Sequence, residues 1–169
     1  MLTAKVMLLG DMGVGKTSIM YRLVYDRFEG NYKSTLGVEI STRDVWPDAD
    51  NSADPVRFII WDADGDFGTL IFDTVYISGA HGAIIMSDVT RPQTITRMLE
   101  LAHNFEARFP GRPYKALVNK IDLVGSGEAA SRRAQLERLD VEFVSAKTGA
   151  GVAKSIAALA GAIRRRQTR

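Results

Sequence analysis

The chain has no cysteine among its 169 residues. That excludes disulfides, thiolate metal sites, thiol nucleophiles and attachment of prenyl or palmitoyl groups to these residues. Leu2 stands where the usual myristoylation signal needs glycine. No apolar run reaches membrane-spanning length and no signal peptide is visible, so we expect a protein of the reducing cytoplasm. Charge of one sign is also scarce. Twenty-two basic and 20 acidic side chains leave a net charge of +2, too small to draw the chain to nucleic acid. Its two histidines, His81 and His103, have no catalytic context. What is present is ordinary: 46% hydrophobic and 25% charged residues read as a globular protein, expected to form one domain over 1–169.

Short apolar runs alternate with amphipathic stretches, the pattern of an α/β sheet. Strands are expected near 5–9, 38–46, 56–61, 83–88, 115–119 and 142–144, and helices near 16–25, 69–78, 92–109, 129–139 and 151–165. Ile95, Met98, Ala102, Phe105 and Phe109 recur at helical spacing, as do Val152, Ile156, Leu159 and Ile163, so both stripes are core. The second and third strands are expected to be antiparallel, joined by a polar hairpin, and the rest of the sheet parallel. Asp48, Asp50 and Asp54 in that hairpin do not make a calcium loop. Ala53 replaces its central glycine and Ile59 its closing glutamate.

Three short motifs carry chemistry. Gly10-Asp11-Met12-Gly13-Val14-Gly15-Lys16-Thr17 fits G-x-x-x-x-G-K-[ST], between the apolar run Val6-Met7-Leu8-Leu9 and a helix start at Ser18. Such glycines let successive backbone N–H groups point at one phosphate while the positive end of the following helix faces the same anion. Lys16 reaches the β- and γ-phosphates and the Thr17 hydroxyl ligates Mg²⁺. Ile59-Ile60-Trp61-Asp62 supplies a second metal carboxylate, acting through water at a strand end, followed by Gly65. Asn119-Lys120-Ile121-Asp122 reads a base: the Asp122 carboxylate matches the N1–H and exocyclic amine of guanine, a donor pair that adenine lacks. The aliphatic part of Lys120 covers the purine face. In Val144-Ser145-Ala146-Lys147 the Ala146 N–H donates to guanine O6.

In these motifs, in this order, the chain resembles the Ras-like small GTPases, with the Rab-type branch most similar, over almost its whole length. The resemblance implies a P-loop α/β three-layer sandwich with a six-stranded, mostly parallel sheet, one antiparallel edge strand and five helices. It implies GTP and GDP as ligands with Mg²⁺. The implied nucleotide contacts are Gly13, Val14, Gly15, Lys16, Thr17, Ser18, Phe28, Tyr32, Thr35, Gly65, Asn119, Lys120, Asp122, Ser145, Ala146 and Lys147. Phe28 packs on the guanine in that reading. Thr35 joins Thr17 and Asp62 at the metal and meets the γ-phosphate only in the GTP state. Ser87-Asp88-Val89-Thr90 matches the family's strand-end signature. Two switch loops, 27–37 and 62–76, are implied. Effectors are expected on the surfaces from Leu36 to Val45 and from Asp62 to Tyr76, with an activator and an exchange factor as further partners.

The departures bear on catalysis. The second switch usually reads D-T-A-G-Q-E, and here it is Asp62-Ala63-Asp64-Gly65-Asp66-Phe67. Asp66 replaces the glutamine that orients attacking water, and an ionised Asp only accepts hydrogen bonds. Asp64 adds a second acid near the same phosphate, and Met12 crowds the side where an activator's arginine enters. The catalytic set is therefore Lys16, Thr35, Gly65 and Asp66, with slow hydrolysis expected. The alternative is a nucleotide-loaded interaction module with little or no turnover. The chain ends at Gln167-Thr168-Arg169 without a lipidated cysteine, so no stable membrane anchor is expected in it. The arginines at 164, 165, 166 and 169 read as complements to a helix C-terminus, with contact to acidic lipid as the other reading.

Overall fold

A computed structural model describes residues 1–30, 36–48 and 51–168. Six strands form one sheet: β1 (Leu2–Gly10), β2 (Val38–Val45), β3 (Val56–Ala63), β4 (Gly82–Asp88), β5 (Tyr114–Asn119) and β6 (Val141–Phe143). Their order is β2-β3-β1-β4-β5-β6, with β2 and β3 antiparallel and every other pair parallel. The α-helices are α1 (Lys16–Tyr25), α2 (Pro92–Arg108), α3 (Ser126–Leu136) and α4 (Val152–Gln167).

The central strands are apolar on both faces because helices cover both. In β1, Ala4, Val6 and Leu8 point into a core shared with Ile19 and Met20 of α1 and Ile156, Leu159 and Ile163 of α4. Met7 and Leu9 point the other way, toward Ile95, Met98, Ala102 and Phe105 of α2. Both helical stripes expected from the sequence are therefore core. Pro92 opens α2, where a missing N–H costs nothing.

The fifth helical stretch takes a different form from that expected. Residues 69–78 fall in two 3-10 segments, Gly65–Asp73 and Val75–Ile77, rather than in an α-helix. Gly68 takes φ +49° and Thr74 is extended, while the Thr74 hydroxyl donates to the Ile71 carbonyl at 2.8 Å in competition with the backbone. Buried Ile71 and Ile77 still anchor the segment to the α2 face. In the β2–β3 hairpin the Ser52 hydroxyl donates to Asp48 at 2.9 Å. Asp50, Tyr32, Ser34, Thr35 and Arg169 lie outside the described residues.

At the other end of the sheet His81 is structural. Its Nδ1 accepts the Lys5 N–H at 3.0 Å, and burial together with Arg112 and Lys5 holds the imidazole below its ordinary pKa. Arg164 donates to the Asp54 carbonyl and Arg166 to that of Pro110. Among the described residues no helix is long and apolar enough to cross a membrane.

A candidate nucleotide site at the carboxyl ends of the strands

In open parallel sheets, ligands bind beyond the carboxyl ends of the strands, where the chain switches direction across the sheet. Here β3 lies on one side of β1 and β4 on the other. Gly10, Asp62, Asp88 and Asn119 therefore come together at the ends of β1, β3, β4 and β5. A cavity of about 620 Å³ opens there, within the range of small-molecule and cofactor sites.

One end of the cavity is the loop 10–15 and the first turn of α1. Gly15 sits at the helix N-cap with φ +106°, and a Cβ there would strike the Asn119 amide, so only glycine fits. No side chain caps the helix, whose first N–H groups face the cavity as an anion-binding end. Lys16 is buried, 6% exposed, and its Nζ donates to the carbonyls of Gly10 and Asp11 at 2.9 and 2.8 Å. Burial lowers the pKa of its ammonium; the charges of Asp62, Asp11 and Asp64 oppose that shift, and Arg91 adds to it. Thr17 donates its hydroxyl to Asp62 Oδ2 at 2.5 Å. These two oxygens form the donor set a hard cation such as Mg²⁺ takes, so the residues present fit the metal that the motifs imply.

The other end reads as a base pocket. Phe28, Lys120, Asp122, Leu123, Ala146 and Lys147 line it. Ser145 donates to Asp122 Oδ1 at 2.6 Å, which orients the carboxylate, and accepts the Thr148 N–H at 3.1 Å. The two ends are fastened by Asn119. Its Nδ2 donates to the Val14 carbonyl at 2.9 Å and its Oδ1 accepts the Ala146 N–H at 3.0 Å. Lys120 donates to the Gly13 carbonyl at 2.7 Å and pairs with Asp88 at 2.9 Å.

Of the residues expected from the sequence, Gly13, Gly15, Lys16, Thr17, Ser18, Phe28, Gly65, Asn119, Lys120, Asp122, Ala146 and Lys147 line this cavity. Val14, Asp62 and Ser145 are buried behind its wall. Tyr32 and Thr35 lie outside the described residues. Asp66 is exposed and absent from the wall, whereas Asp64 and Met12 line it.

Other residues around the site were not singled out from the sequence. Arg22 donates to the carbonyls of Ala146 and Lys147 at 3.0 and 2.5 Å, bracing the last loop from α1. Arg91 pairs with Asp88 at 3.2 Å and donates to the Met12 carbonyl at 2.9 Å. Their local ion pairs, Arg22 with Asp26 and Arg91 with Asp88, do not announce these roles, since the loop carbonyls they hold lie 124, 125 and 79 positions away.

A family model described as "Ras family" matches residues 5–165. Among curated proteins, the chain is 30% identical over 167 residues to the GTP-binding protein YPTM2 of Zea mays, covering 96% of this chain and 80% of that protein. It is 31% identical over 169 residues to the Ras-related protein RIC1 of Oryza sativa subsp. japonica (96% and 81%). It is 29% identical over 170 residues to the Ras-related protein Rab-1 of Theileria annulata (97% and 76%).

Asp88 ties these parts together electrostatically. Burial pushes its carboxyl up, but hydrogen bonds from Thr90 and the Lys120 ammonium outweigh that and hold it below the usual carboxylate range. A carboxyl whose folded pKa is depressed contributes stability above its unfolded value, about 3.9, and that contribution fades as pH falls through the folded value. Asp88→Asn should therefore cost about 1–3 kcal/mol of unfolding free energy at pH 7. In urea titrations at pH 7 and pH 3, the gap from the parent protein should shrink at the acid end. A gap of equal size at both pH values would contradict the assignment.

Proposed function

The chain belongs to the Ras family, and on that premise we propose that it is a GDP/GTP-binding switch that hydrolyses GTP slowly. The observation that carries this reading is one cavity with a phosphate-type loop at one end and a guanine-type carboxylate, Asp122, at the other. In this reading Gly13, Val14, Gly15, Thr17 and Ser18 present backbone N–H groups to the phosphates. Lys16 exchanges its two carbonyl partners for phosphate oxygens. Thr17 and Thr35 directly, and Asp62 through water, would hold Mg²⁺, which would supply positive charge beside the transferred phosphoryl group. Asp122, oriented by Ser145, accepts from the N1–H and amine of guanine. The Ala146 N–H, which donates to Asn119 Oδ1 at 3.0 Å, would share that hydrogen with guanine O6, and Phe28, Lys120 and Lys147 would cover the ring.

Slow turnover rests on two departures. An acid one position after Gly65 offers no donor to orient water, and Met12 projects, 41% exposed, at the phosphate end. Thr35, Gly65, Lys16 and Asp66 make up the catalytic set. Effector proteins would dock on the surfaces from Leu36 to Val45 and from Asp62 to Tyr76. Leu36, Ile40, Leu70 and Val75 expose apolar side chains there, with Leu36 87% exposed. An activator and an exchange factor complete the partners this reading requires, and one nucleotide-binding domain over 1–169 is sufficient for it.

Base choice is tested by Asp122→Asn. The substitution replaces one acceptor with an amide donor, so binding should swing toward xanthine nucleotides, with guanine affinity falling by about 100-fold or more. Unchanged preference would refute the assignment. The rate claim is tested by Asp66→Gln in single-turnover GTP hydrolysis. An increase is expected, and no change or a fall would show that Asp66 is not what limits the reaction.

A further inference from the structure

Of the two acids that flank Gly65, the one that lines the cavity is Asp64; Glu39 of β2 lines it as well. Asp64 lines the cavity beside Met12, Gly13, Lys16 and Thr17, while Asp66, two residues on, is exposed and outside the wall. The backbone at Asp64 is held on both sides. Its N–H donates to the Gly37 carbonyl at 2.8 Å, and its own carbonyl accepts the Phe67 N–H at 3.2 Å. Its side chain is turned by accepting the Asp66 N–H on Oδ1 at 2.9 Å. The next residue, Gly65, presses on the phosphate loop so closely that a Cβ would lie 2.7 Å from Asp11 C and Met12 Cα. The carboxylate is thus carried on a segment clamped between β2 and the loop that receives phosphate.

Among the described residues the ammonium of Lys16 is the cation lining this end, and it faces Asp62 and Asp11 as well as Asp64. Of the guanidinium groups nearby, Arg91 is taken up by Asp88 and the Met12 carbonyl, and Arg97 pairs with Asp11 at 3.6 Å. In the nucleotide reading above, a diphosphate would place its last charge over the loop and the start of α1, and a triphosphate would extend one group further into the part of the cavity that Asp64 and Gly65 line.

Building on the guanine-nucleotide reading above, we propose that Asp64 is a specificity-determining residue: it sets a preference for guanosine diphosphate over triphosphate by fixing a like charge where the terminal phosphate arrives. The consequence is a switch whose resting, diphosphate-bound state is favoured by the binding site itself, before any hydrolysis. Removal of the charge, rather than of the side chain's bulk, should relieve it.

The test is equilibrium binding of fluorescent GDP and a fluorescent non-hydrolysable GTP analogue to the full chain at fixed Mg²⁺. The proteins are the parent, Asp64→Asn, Asp64→Ala and Asp64→Glu. Asp140→Asn, which removes one charge from the exposed turn before β6, is the control. We expect the parent and Asp140→Asn to favour GDP. Asp64→Asn and Asp64→Ala should narrow that preference by about tenfold, the scale of one like-charge contact in a partly solvated site, through tighter triphosphate binding. GDP affinity should stay within about twofold, and Asp64→Glu should keep the preference. A ratio unchanged in Asp64→Asn, or triphosphate binding that weakens because the carboxylate serves the metal, would overturn the proposal while leaving the guanine-nucleotide reading intact. Folded protein that binds neither probe would overturn both.

Discussion

The site depends on one buried side-chain amide. Asn119 is 2% exposed, donates to the carbonyl of Val14 and accepts the N–H of Ala146. Those partners lie 105 and 27 positions away, in the glycine-rich loop after β1 and the loop after β6. A carboxamide is the side chain for this role, since it offers donor and acceptor in one plane and carries no charge to desolvate. The Gly15 conformation follows from it, because the amide fills the space a Cβ would need. Lys120, the next residue, then reaches Gly13 and Asp88, and through Asp88 and Arg91 the start of α2 is joined to Met12. Loss of the Asn119 contacts would leave polar groups of two loops buried without partners, a cost of about 1–3 kcal/mol each.

Charge at the phosphate end is the second constraint. Lys16 is buried on carbonyl oxygens and surrounded by three acids, an arrangement that gains when an anion arrives to share the ammonium. Asp62 accepts from Thr17 and fits a metal role, whereas Asp64 lines the cavity itself, which is why its charge is the one proposed to weigh against a further phosphate.

Much of this was legible in the sequence, and the reasons are local. The phosphate loop is a contiguous stretch whose glycines, lysine and threonine act through nearby backbone, so its chemistry can be read without knowing the rest of the fold. The stripes on α2 and α4 followed from helical spacing alone. The segment 65–77 was harder. Its apolar residues suit a helix, but Gly68 and Thr74 take conformations that break it into 3-10 turns. The two acids around Gly65 show the same limit: their sequence spacing is symmetrical, and only the turn closed by Asp64 and the packing of Gly65 on Met12 decide which one lines the cavity. Arg22 and Arg91 were silent because each serves a carbonyl far along the chain.

The most direct test of this account is the nucleotide carried by freshly purified, denatured protein, identified by ion-pair chromatography. The account predicts a guanine nucleotide close to one per chain, with GDP in excess of GTP. Adenine nucleotide in its place, or folded protein that neither carries nor takes up any guanine nucleotide, would contradict it.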